Sequence, residues 1–539
     1  MTPNLVLTGF MGTGKTSTGQ NAAKKLGMPF VDMDAEIEAR VGMPIRQIFA
    51  EKGEPAFRQI ETQVCLHLAA QGGRVIATGG GALLNPENRA AFQHDVLVCL
   101  NASAPVLARR LGVNAESAAP AAGEPPKQVR PLLNVADPIA EIERLLAIRR
   151  PVYASLPWQV ETDGLSPAEA ADKVVAIFRL RGLPVRHPNG QYNIYIGEGA
   201  LENIGGLFRQ TNIPTNEAVA VVSNSVVGPL HASRVEASLL RYGYAPFLCS
   251  VPDGENHKSL ATVESLYGQF LAGGLGRGGT VLGLGGGVTG DMAGFAAATY
   301  LRGVRYVQAP TSLLSMVDAS VGGKVGVDLP QGKNLVGAFK QPDLVVMDPR
   351  VLETLPVGEL RSGMAEAIKH GILADPGLLE SLRQGAGASG TIDPAWLERA
   401  VAVKIQVVER DPYEHGERAL LNLGHTAGHA VETLSRYSMR HGEAVSIGML
   451  AAVEIAIQLQ LAQAELRDTV RQTLEAWELP VRCPDYPVEQ ILQAAMHDKK
   501  KQAGRLRWIL PYAPGDVRIV ENVPLEIVRA VLIKMGAKE

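Results

Sequence analysis

Two groups of residues in this chain have the types and the spacing to do chemistry. The first is Gly9-Phe-Met-Gly12-Thr-Gly14-Lys15-Thr16-Ser17, a GxxxxGK[ST] run that follows the strand-like LVLT and precedes the helix-compatible TSTGQNAAKKL. Glycines there let backbone N–H groups wrap a polyphosphate at a helix N-terminus, while Lys15 neutralises charge on a transferring phosphoryl group and Thr16 offers its hydroxyl to Mg2+. A phosphate acceptor has to be held opposite. The candidates are Asp32 and Asp34 in PFVDMDAEIE, Arg58 in EPAFRQIE, and Gly79-Gly80-Gly81 after RVIAT. Asp32 and Asp34 are expected at strand spacing, pointing the same way, one toward the metal and one toward an acceptor hydroxyl. Arg58 has the fork to clamp a carboxylate.

The second group lies in the C-terminal half. LNLGHTAGHAVE puts His425 and His429 at i, i+4 on one helix face, and His441 follows in RHGEAVSIG. Glu366 in GMAEAIKHG can add a carboxylate, making a His2Glu metal set with open positions. Spacing leaves open which two of the three histidines ligate. Gly283-Leu-Gly-Gly-Gly287-Val288-Thr289-Gly290-Asp291 follows TVL and precedes a small-residue helix, as a loop approaching a pyrophosphate does. Lys324, Lys333-Asn334, Lys369, Lys404, Arg418 and Lys499-Lys500 recur in polar settings. Together with a metal set and a glycine loop they point to a pocket for a small, highly anionic substrate.

These residues must be positioned by regular elements. From Leu5 to about Leu180, short apolar runs alternate with amphipathic stretches, predicting a parallel sheet with crossover helices. Arg181–Gly190 (RGLPVRHPNG), with two prolines and two glycines, reads as a linker. Strand-like runs at Tyr192–Ile196, Ala218–Ser223, Ala245–Val251, Thr280–Leu284, Tyr306–Ala309 and Leu344–Met347 predict a second α/β domain over 191–349. Beyond Pro349 the strands fade, and stretches such as Gly442–Leu466 predict a mainly α-helical domain over 350–539. The cleft between these last two is the expected active site. Gly112–Lys127 (GVNAESAAPAAGEPPK) reads as a loop within the first unit.

Composition limits the rest. The chain has 539 residues, too many for one small binding module, and its net charge of −3 provides no broad basic field for nonspecific nucleic-acid binding. Cys65, Cys99, Cys249 and Cys483 are scattered singly, against a disulfide framework or a thiolate metal site. Residues 1–10 lack a basic leader, and no run reaches about 18 apolar residues. A cytoplasmic enzyme without a membrane anchor is expected.

The first group resembles shikimate kinase, over Leu5 to about Leu180. The resemblance is carried in order by the phosphate loop, DMD at 32–34, FRQIE at 57–61, GGG at 79–81, RPLL at 130–133 and RRPVY at 149–153. It implies that Asp34, Arg58, Gly80, Gly81 and Arg149 bind shikimate, with Asp34 activating its 3-hydroxyl. Asp32 joins Thr16 at Mg2+, Arg110 touches the nucleotide, and Arg130 belongs to the lid. The stretch before Arg130 is longer and richer in Ala and Pro than the family's usual lid.

The second group resembles 3-dehydroquinate synthase, from about Tyr192 onward. PDGENHK, GGGVTGD, SMVDASVGGKVGVD, KNLVGAF, MAEAIKHG, NLGHTAGHAVE and RHGEAVSIG occur in that order. The family implies Zn2+ on Glu366, His425 and His441, with His429 left to handle protons. It implies NAD+ held by Asp253, Gly254, Glu255, Lys258, Gly287–Asp291, Thr311, Ser312, Lys324, Lys333 and Val351-Leu352-Glu353-Thr354. Substrate falls to Asp318, Lys324, Asn334, Lys369, Lys404, Arg418, Asn422, His429 and Lys499, with Arg302 reaching in from a neighbouring subunit of a homodimer; Lys324 and Lys369 are also counted as catalytic. The family's reaction transiently oxidises a hydroxyl, eliminates phosphate, reduces the ketone back and closes the ring by an aldol step.

The implied protein is a bifunctional α/β enzyme of aromatic amino acid biosynthesis, a P-loop kinase domain followed by a Rossmann-like domain and a helical domain. It needs ATP with Mg2+, NAD+ and Zn2+, and neither nucleic acid nor membrane. Because the two reactions are not consecutive, association with other enzymes of the pathway is expected rather than direct handover. The rival readings make the second half another sugar-phosphate cyclase or a polyol dehydrogenase, and the first half a nucleotide-binding assembly module.

Overall fold

The computed structural model describes residues 2–112, 137–385, 392–436, 438–499 and 507–539, without the side chains of 497–499. Arg130, the side chain of Lys499, Lys500 and all of Gly112–Lys127 except Gly112 lie outside what is described. The chain divides into two compact units, Met1–Leu180 and Arg181–Glu539. No helix among the described residues is long and apolar enough to cross a membrane. All four cysteines are buried and free.

In the first unit β1 (Leu5–Gly9), β2 (Phe30–Asp32), β3 (Val75–Ala77), β4 (Val96–Asn101) and β5 (Trp158–Glu161) form a sheet of order β2-β3-β1-β4-β5. All its pairings are parallel. β1 is buried along its whole length, as a central parallel strand covered on both faces must be. Its carboxyl end runs into the glycine loop, and Gly14 (φ 91) caps the helix Lys15–Leu26 in a left-handed conformation. The expectation that Asp32 and Asp34 share a strand is corrected: β2 ends at Asp32, whose side chain accepts from the Asp34 N–H and caps the helix Met33–Val41. Aspartate is a strong N-cap, and an acid in the first turn suits the helix dipole, so the helix starts one residue after Asp32.

In the second unit β6 (Arg181–His187), β7 (Gly190–Ile196), β8 (Ala218–Asn224), β9 (Ala245–Val251), β10 (Thr280–Gly285), β11 (Arg305–Pro310) and β14 (Leu344–Met347) form a sheet of order β6-β7-β14-β11-β10-β8-β9. The stretch read as a linker is therefore structured: β6 pairs antiparallel with β7 from Arg181↔Ile196 to His187↔Gly190. Pro184 is tolerated because β6 is an edge strand, and the turn residues ahead of Gly190 close a hairpin rather than a flexible link. A second hairpin, β12 (Lys324–Leu329) with β13 (Gly332–Phe339), stands apart from this sheet.

The C-terminal part is mainly helical, and among the described residues it also holds a two-stranded hairpin of β15 (Arg507–Ala513) and β16 (Asp516–Glu521). The helices His425–Leu434 and His441–Gln458 pack backbone to backbone, since a Cβ on Gly448 would stand 1.8 Å from the Gly424 carbonyl oxygen. The second of these stops before the expected Leu466, at a turn where Gln460 has φ 58.

Candidate active sites

In the first unit the phosphate loop and its partners come together. Lys15 Nζ donates to the Gly9 and Phe10 carbonyls at 3.0 and 3.1 Å, and Thr16 Oγ1 donates to Asp32 Oδ2 at 2.9 Å. The hydroxyl and carboxylate expected at Mg2+ are thus already adjacent. Ser17 Oγ bonds the Gly14 carbonyl at 3.1 Å. Arg110 lies beside the loop, donating to the Thr162 carbonyl at 2.7 Å and to that of Gly12 at 3.4 Å.

Asp34, Arg58 and Arg149 converge on the glycine turn. A Cβ on Gly79 would lie 2.9 Å from Asp34 Oδ1, one on Gly80 would lie 3.3 Å from Arg149 Nη1, and one on Gly81 would lie 3.1 Å from Arg58 Nη1. These glycines keep open a cradle lined by one carboxylate and two guanidinium groups. The sequence reading missed Glu61 and Tyr153. Glu61 is buried, with burial raising its carboxyl against the pull of Arg58 Nη1 at 2.8 Å. Its signal was its place three residues after Arg58 on one helix face.

In the second unit Lys258 is buried and donates to Asp291 Oδ2 and Asn334 Oδ1, both at 2.6 Å. Burial opposes its charge, but Asp291, Glu255 and Asp328 raise it above its ordinary value. This one ammonium joins Asp253–Lys258, the start of the helix Gly287–Thr299, and the β12–β13 hairpin. A cleft of about 480 Å3 there is lined by Asp291, Lys324, Val325, Gly326, Asn334, Gly337, Ala338 and Phe339. At the helix start a Cβ on Gly286 would meet Ser312 Oγ at 3.4 Å. Asp253, Gly254 and Glu255 are exposed beside it; Thr311, Val351 and Leu352 are buried, and Glu353 and Thr354 exposed. Asn224, unnoticed in the sequence, ends β8 and donates to Asp253 Oδ1 at 2.6 Å.

Three helices carry the metal candidates: Val357–Ala374 holds Glu366, His425–Leu434 holds His425 and His429, and His441–Gln458 begins at His441. Glu366 is completely buried; the Lys369 ammonium lies against one oxygen, and the other accepts no hydrogen bond among the described residues. That second oxygen faces Nε2 of His425 at 3.8 Å and Nε2 of His441 at 3.6 Å. Tetrahedral ligands at 2.0–2.1 Å from an ion stand about 3.4 Å apart, so the three atoms fit a zinc-sized cation. His425 Nδ1 faces the Leu423 carbonyl at 3.1 Å and His441 Nδ1 faces Glu432 at 3.4 Å, which turns both Nε2 atoms inward. Burial and Lys369 pull His425 down to about 3, keeping it neutral and able to ligate. Burial alone would raise Glu366, but the Lys369 ammonium and His441 hold it well below its ordinary range. His429 falls in a second set, with Glu432 and His441.

The basic residues separate into two classes. Lys369, Lys404 and Arg418 are buried, whereas Lys324 and Lys333 are partly exposed. Lys404 donates to the Asp318 carbonyl at 2.6 Å and pairs with its carboxylate; burial opposes ionisation there, but Lys404 and Lys369 hold Asp318 well below its ordinary value. Asp318 sits in a π-helical turn, Ser315–Ala319, that points it at Lys404. Arg418 donates to the Pro412 carbonyl at 2.7 Å and approaches that of Gly322. Asn422 is exposed at the end of the 3-10 turn Glu417–Asn422. Arg302 lies on an exposed turn with φ 69, after Leu301 with φ 50. Glu414, also missed, is ion-paired with Lys324 and holds a left-handed φ of 61.

Comparison with known proteins matches both units. Residues 11–179 match the family model of shikimate kinase, and residues 248–362 and 363–501 those of the N-terminal and C-terminal parts of 3-dehydroquinate synthase. A 3-dehydroquinate synthase of Synechocystis is 45% identical over 359 residues, 65% of this chain and 99% of that protein. A solved 2-epi-5-epi-valiolone synthase of Streptomyces hygroscopicus, with NAD+ and Zn2+ bound, is 27% identical over 66% of this chain and 99% of its own, with a TM-score of 0.57. Shikimate kinase from Acinetobacter baumannii, in complex with shikimate, is 34% identical over 33% of this chain and 93% of its own, with a TM-score of 0.29. The chain therefore belongs to the 3-dehydroquinate synthase family and carries a shikimate kinase domain ahead of it, as a bifunctional enzyme of the shikimate pathway.

Proposed function

We propose that Glu366, His425 and His441 hold Zn2+, that the cleft around Lys258 and Asp291 holds NAD+, and that Lys369, Lys404 and Arg418 grip the carboxylate and phosphate of 3-deoxy-D-arabino-heptulosonate 7-phosphate. The observation carrying this reading is the buried, unbonded oxygen of Glu366 facing two imidazole Nε2 atoms at 3.8 and 3.6 Å. When bound, zinc supplies Lewis-acid polarisation of a substrate oxygen and NAD+ a reversible hydride acceptor. The chain's own residues do the rest. Lys404 and Arg418 fix the anionic groups, Asp318 stays ionised to hold Lys404, and His429 moves protons beside the metal. Lys324, ion-paired with Glu414 in this structure, exchanges that carboxylate for an oxygen of the substrate.

In the first unit Lys15, Thr16 and Asp32 hold ATP and Mg2+, while Arg58, Arg149 and the Gly79–Gly81 turn hold shikimate with its 3-hydroxyl toward Asp34. Gly12, Gly14, Ser17 and Arg110 complete the nucleotide site, and Arg130 acts from the lid. We assign the protein to the cytoplasm, as a homodimer through the synthase half in which Arg302 reaches the partner's site, and we expect association with other enzymes of the pathway. Sedimentation of the protein alone and mixed with those enzymes tests both; a monomer that binds none of them refutes them.

The test of the main reading is phosphate release by chelator-treated protein with NAD+, with and without Zn2+, while absorbance follows net NADH. Zinc-dependent release without NADH accumulation is expected. Stoichiometric NADH would turn the reading into a dehydrogenase. Shikimate-dependent ADP formation tests the kinase; ATP binding without it would leave an assembly module. Lys324, Lys404 and Arg418, together with 45% identity to a 3-dehydroquinate synthase, favour this substrate over that of another cyclase.

A further inference from the structure

Glu432 lies on the same helix as His425 and His429, and its side chain is only 11% exposed. One of its oxygens faces Nδ1 of His441 at 3.4 Å and the other faces the Lys333 ammonium at 3.5 Å. Lys333, on the β12–β13 hairpin, also stands 3.9 Å from Glu255 in the exposed loop beside the glycine helix. A chain of charge thus runs from a metal ligand to the dinucleotide side of the cleft.

We propose that Glu432 is a positioning residue shared between the metal centre and the dinucleotide loop: it fixes the ring of His441, and Lys333 fixes Glu432. The inference rests on the reading above that Glu366, His425 and His441 hold the metal. The physical need is specific. An imidazole can present either nitrogen, and His441 stands between two sets of ligand atoms, one with Glu366 and His425 and the other with His429 and Glu432. A carboxylate at Nδ1 selects the tautomer with the proton there, leaves the Nε2 lone pair toward Glu366, and strengthens it as a donor. Because Glu432 also faces an ammonium on the other side of the cleft, its orientation depends on the hairpin being in place. Lys333 therefore influences the metal although it touches no ligand.

The test uses the full chain, stripped with chelator. Zn2+ affinity is measured by competition with a chromophoric chelator, and the environment of bound Co2+ by its visible absorption, for wild type, Glu432→Ala, Glu432→Gln, Lys333→Met and the double variant Lys333→Met/Glu432→Ala. Circular dichroism and thermal unfolding of the metal-free proteins check that each folds. Glu432→Ala is expected to weaken Zn2+ about 10- to 100-fold. Glu432→Gln should fall between, because its amide oxygen still accepts from Nδ1–H. Lys333→Met should weaken the metal about 2- to 5-fold, and the double variant should be no weaker than Glu432→Ala. At saturation the Co2+ bands of Glu432→Ala should match those of wild type. Wild-type affinity in Glu432→Ala, or multiplying effects in the double variant, would overturn the proposal, and changed Co2+ bands would make Glu432 a ligand instead. If wild type fails to bind Zn2+, or His425→Ala binds it unimpaired, it is the metal-site reading that falls.

Discussion

The Tyr153 hydroxyl donates to the Gly80 carbonyl at 2.5 Å, and Arg149, one helical turn earlier, approaches the same oxygen at 3.4 Å. Tyr153 is buried, and burial pushes its phenol up to about 12, so it remains a donor at any working pH. This bond ties the helix Pro138–Ser155 to the glycine turn on which Asp34 and Arg58 converge. Tyr153→Phe should therefore raise the shikimate KM about 2- to 10-fold, the value of one neutral hydrogen bond, with the ATP KM unchanged. Steady-state kinetics with each substrate varied decides it, and equal shifts in both constants would mean a general loss of structure.

Arg418 offers a second test. Its guanidinium is buried and held by the Pro412 and Gly322 carbonyls, with burial lowering its affinity for its proton. A lysine brings one ammonium and cannot reproduce the planar fork. Arg418→Lys should cost on the order of tenfold or more in kcat/KM for phosphate release, about 1.4 kcal/mol or more, and leave shikimate-dependent ADP formation untouched. Full synthase activity in this variant would remove Arg418 from the substrate site.

The loop between Asp411 and Arg418 depends on one carboxylate. Asp411 accepts from the backbone N–H groups of His415, Gly416 and Arg418 at 2.8, 2.7 and 3.0 Å. Burial would raise it, but these bonds hold it down at about 2. A carboxyl depressed in the folded state contributes stability that is present above its unfolded value, near 3.9, and lost as pH falls through the folded value. The wild-type advantage in urea midpoint over Asp411→Asn should be constant at neutral pH and shrink between about pH 4 and pH 2. An advantage independent of pH across that window would mean the loop does not rest on the charge.

Gly448 is the packing test. Its missing Cβ lets the helix His441–Gln458 lie against the Gly424 carbonyl, where a methyl group would stand 1.8 Å from backbone oxygen. Backbone cannot swing aside as a flexible side chain can, so Gly448→Ala should cost about 1–3 kcal/mol and separate His441 from His425. Lowered thermal stability of the synthase transition with weaker Zn2+ retention is expected. Unchanged zinc content would show that the two helices are free to part.

Much of both candidate sites was legible in linear sequence, because the residues proposed for them lie in short runs whose spacing is local. Gly9 to Thr16 is one turn between a strand and a helix, and His425 and His429 sit one helical turn apart, so backbone geometry alone brings their atoms together. The central strands of both α/β sheets were legible for a related reason: strands buried on both faces are continuous apolar runs. The stretch Arg181–Gly190 was misread because proline and glycine mark both loops and edge hairpins, and only pairing with Gly190–Ile196 distinguishes them. Asp32 and Asp34 were placed on one strand because spacing does not tell where a helix cap will interrupt it.

Tertiary structure alone decided what depends on distant partners. Which two of the three histidines face the unbonded oxygen of Glu366 depends on how three separate helices pack. Glu61, Glu414 and Glu432 look like surface acids in sequence and acquire meaning only opposite Arg58, Lys324 and His441. Lys369, Lys404 and Arg418 differ from ordinary surface cations only because the fold buries them, and a buried charge persists only where the fold also provides its partner. Sequence carries residue type and local spacing; which charge leaves water, and against what, is a property of packing.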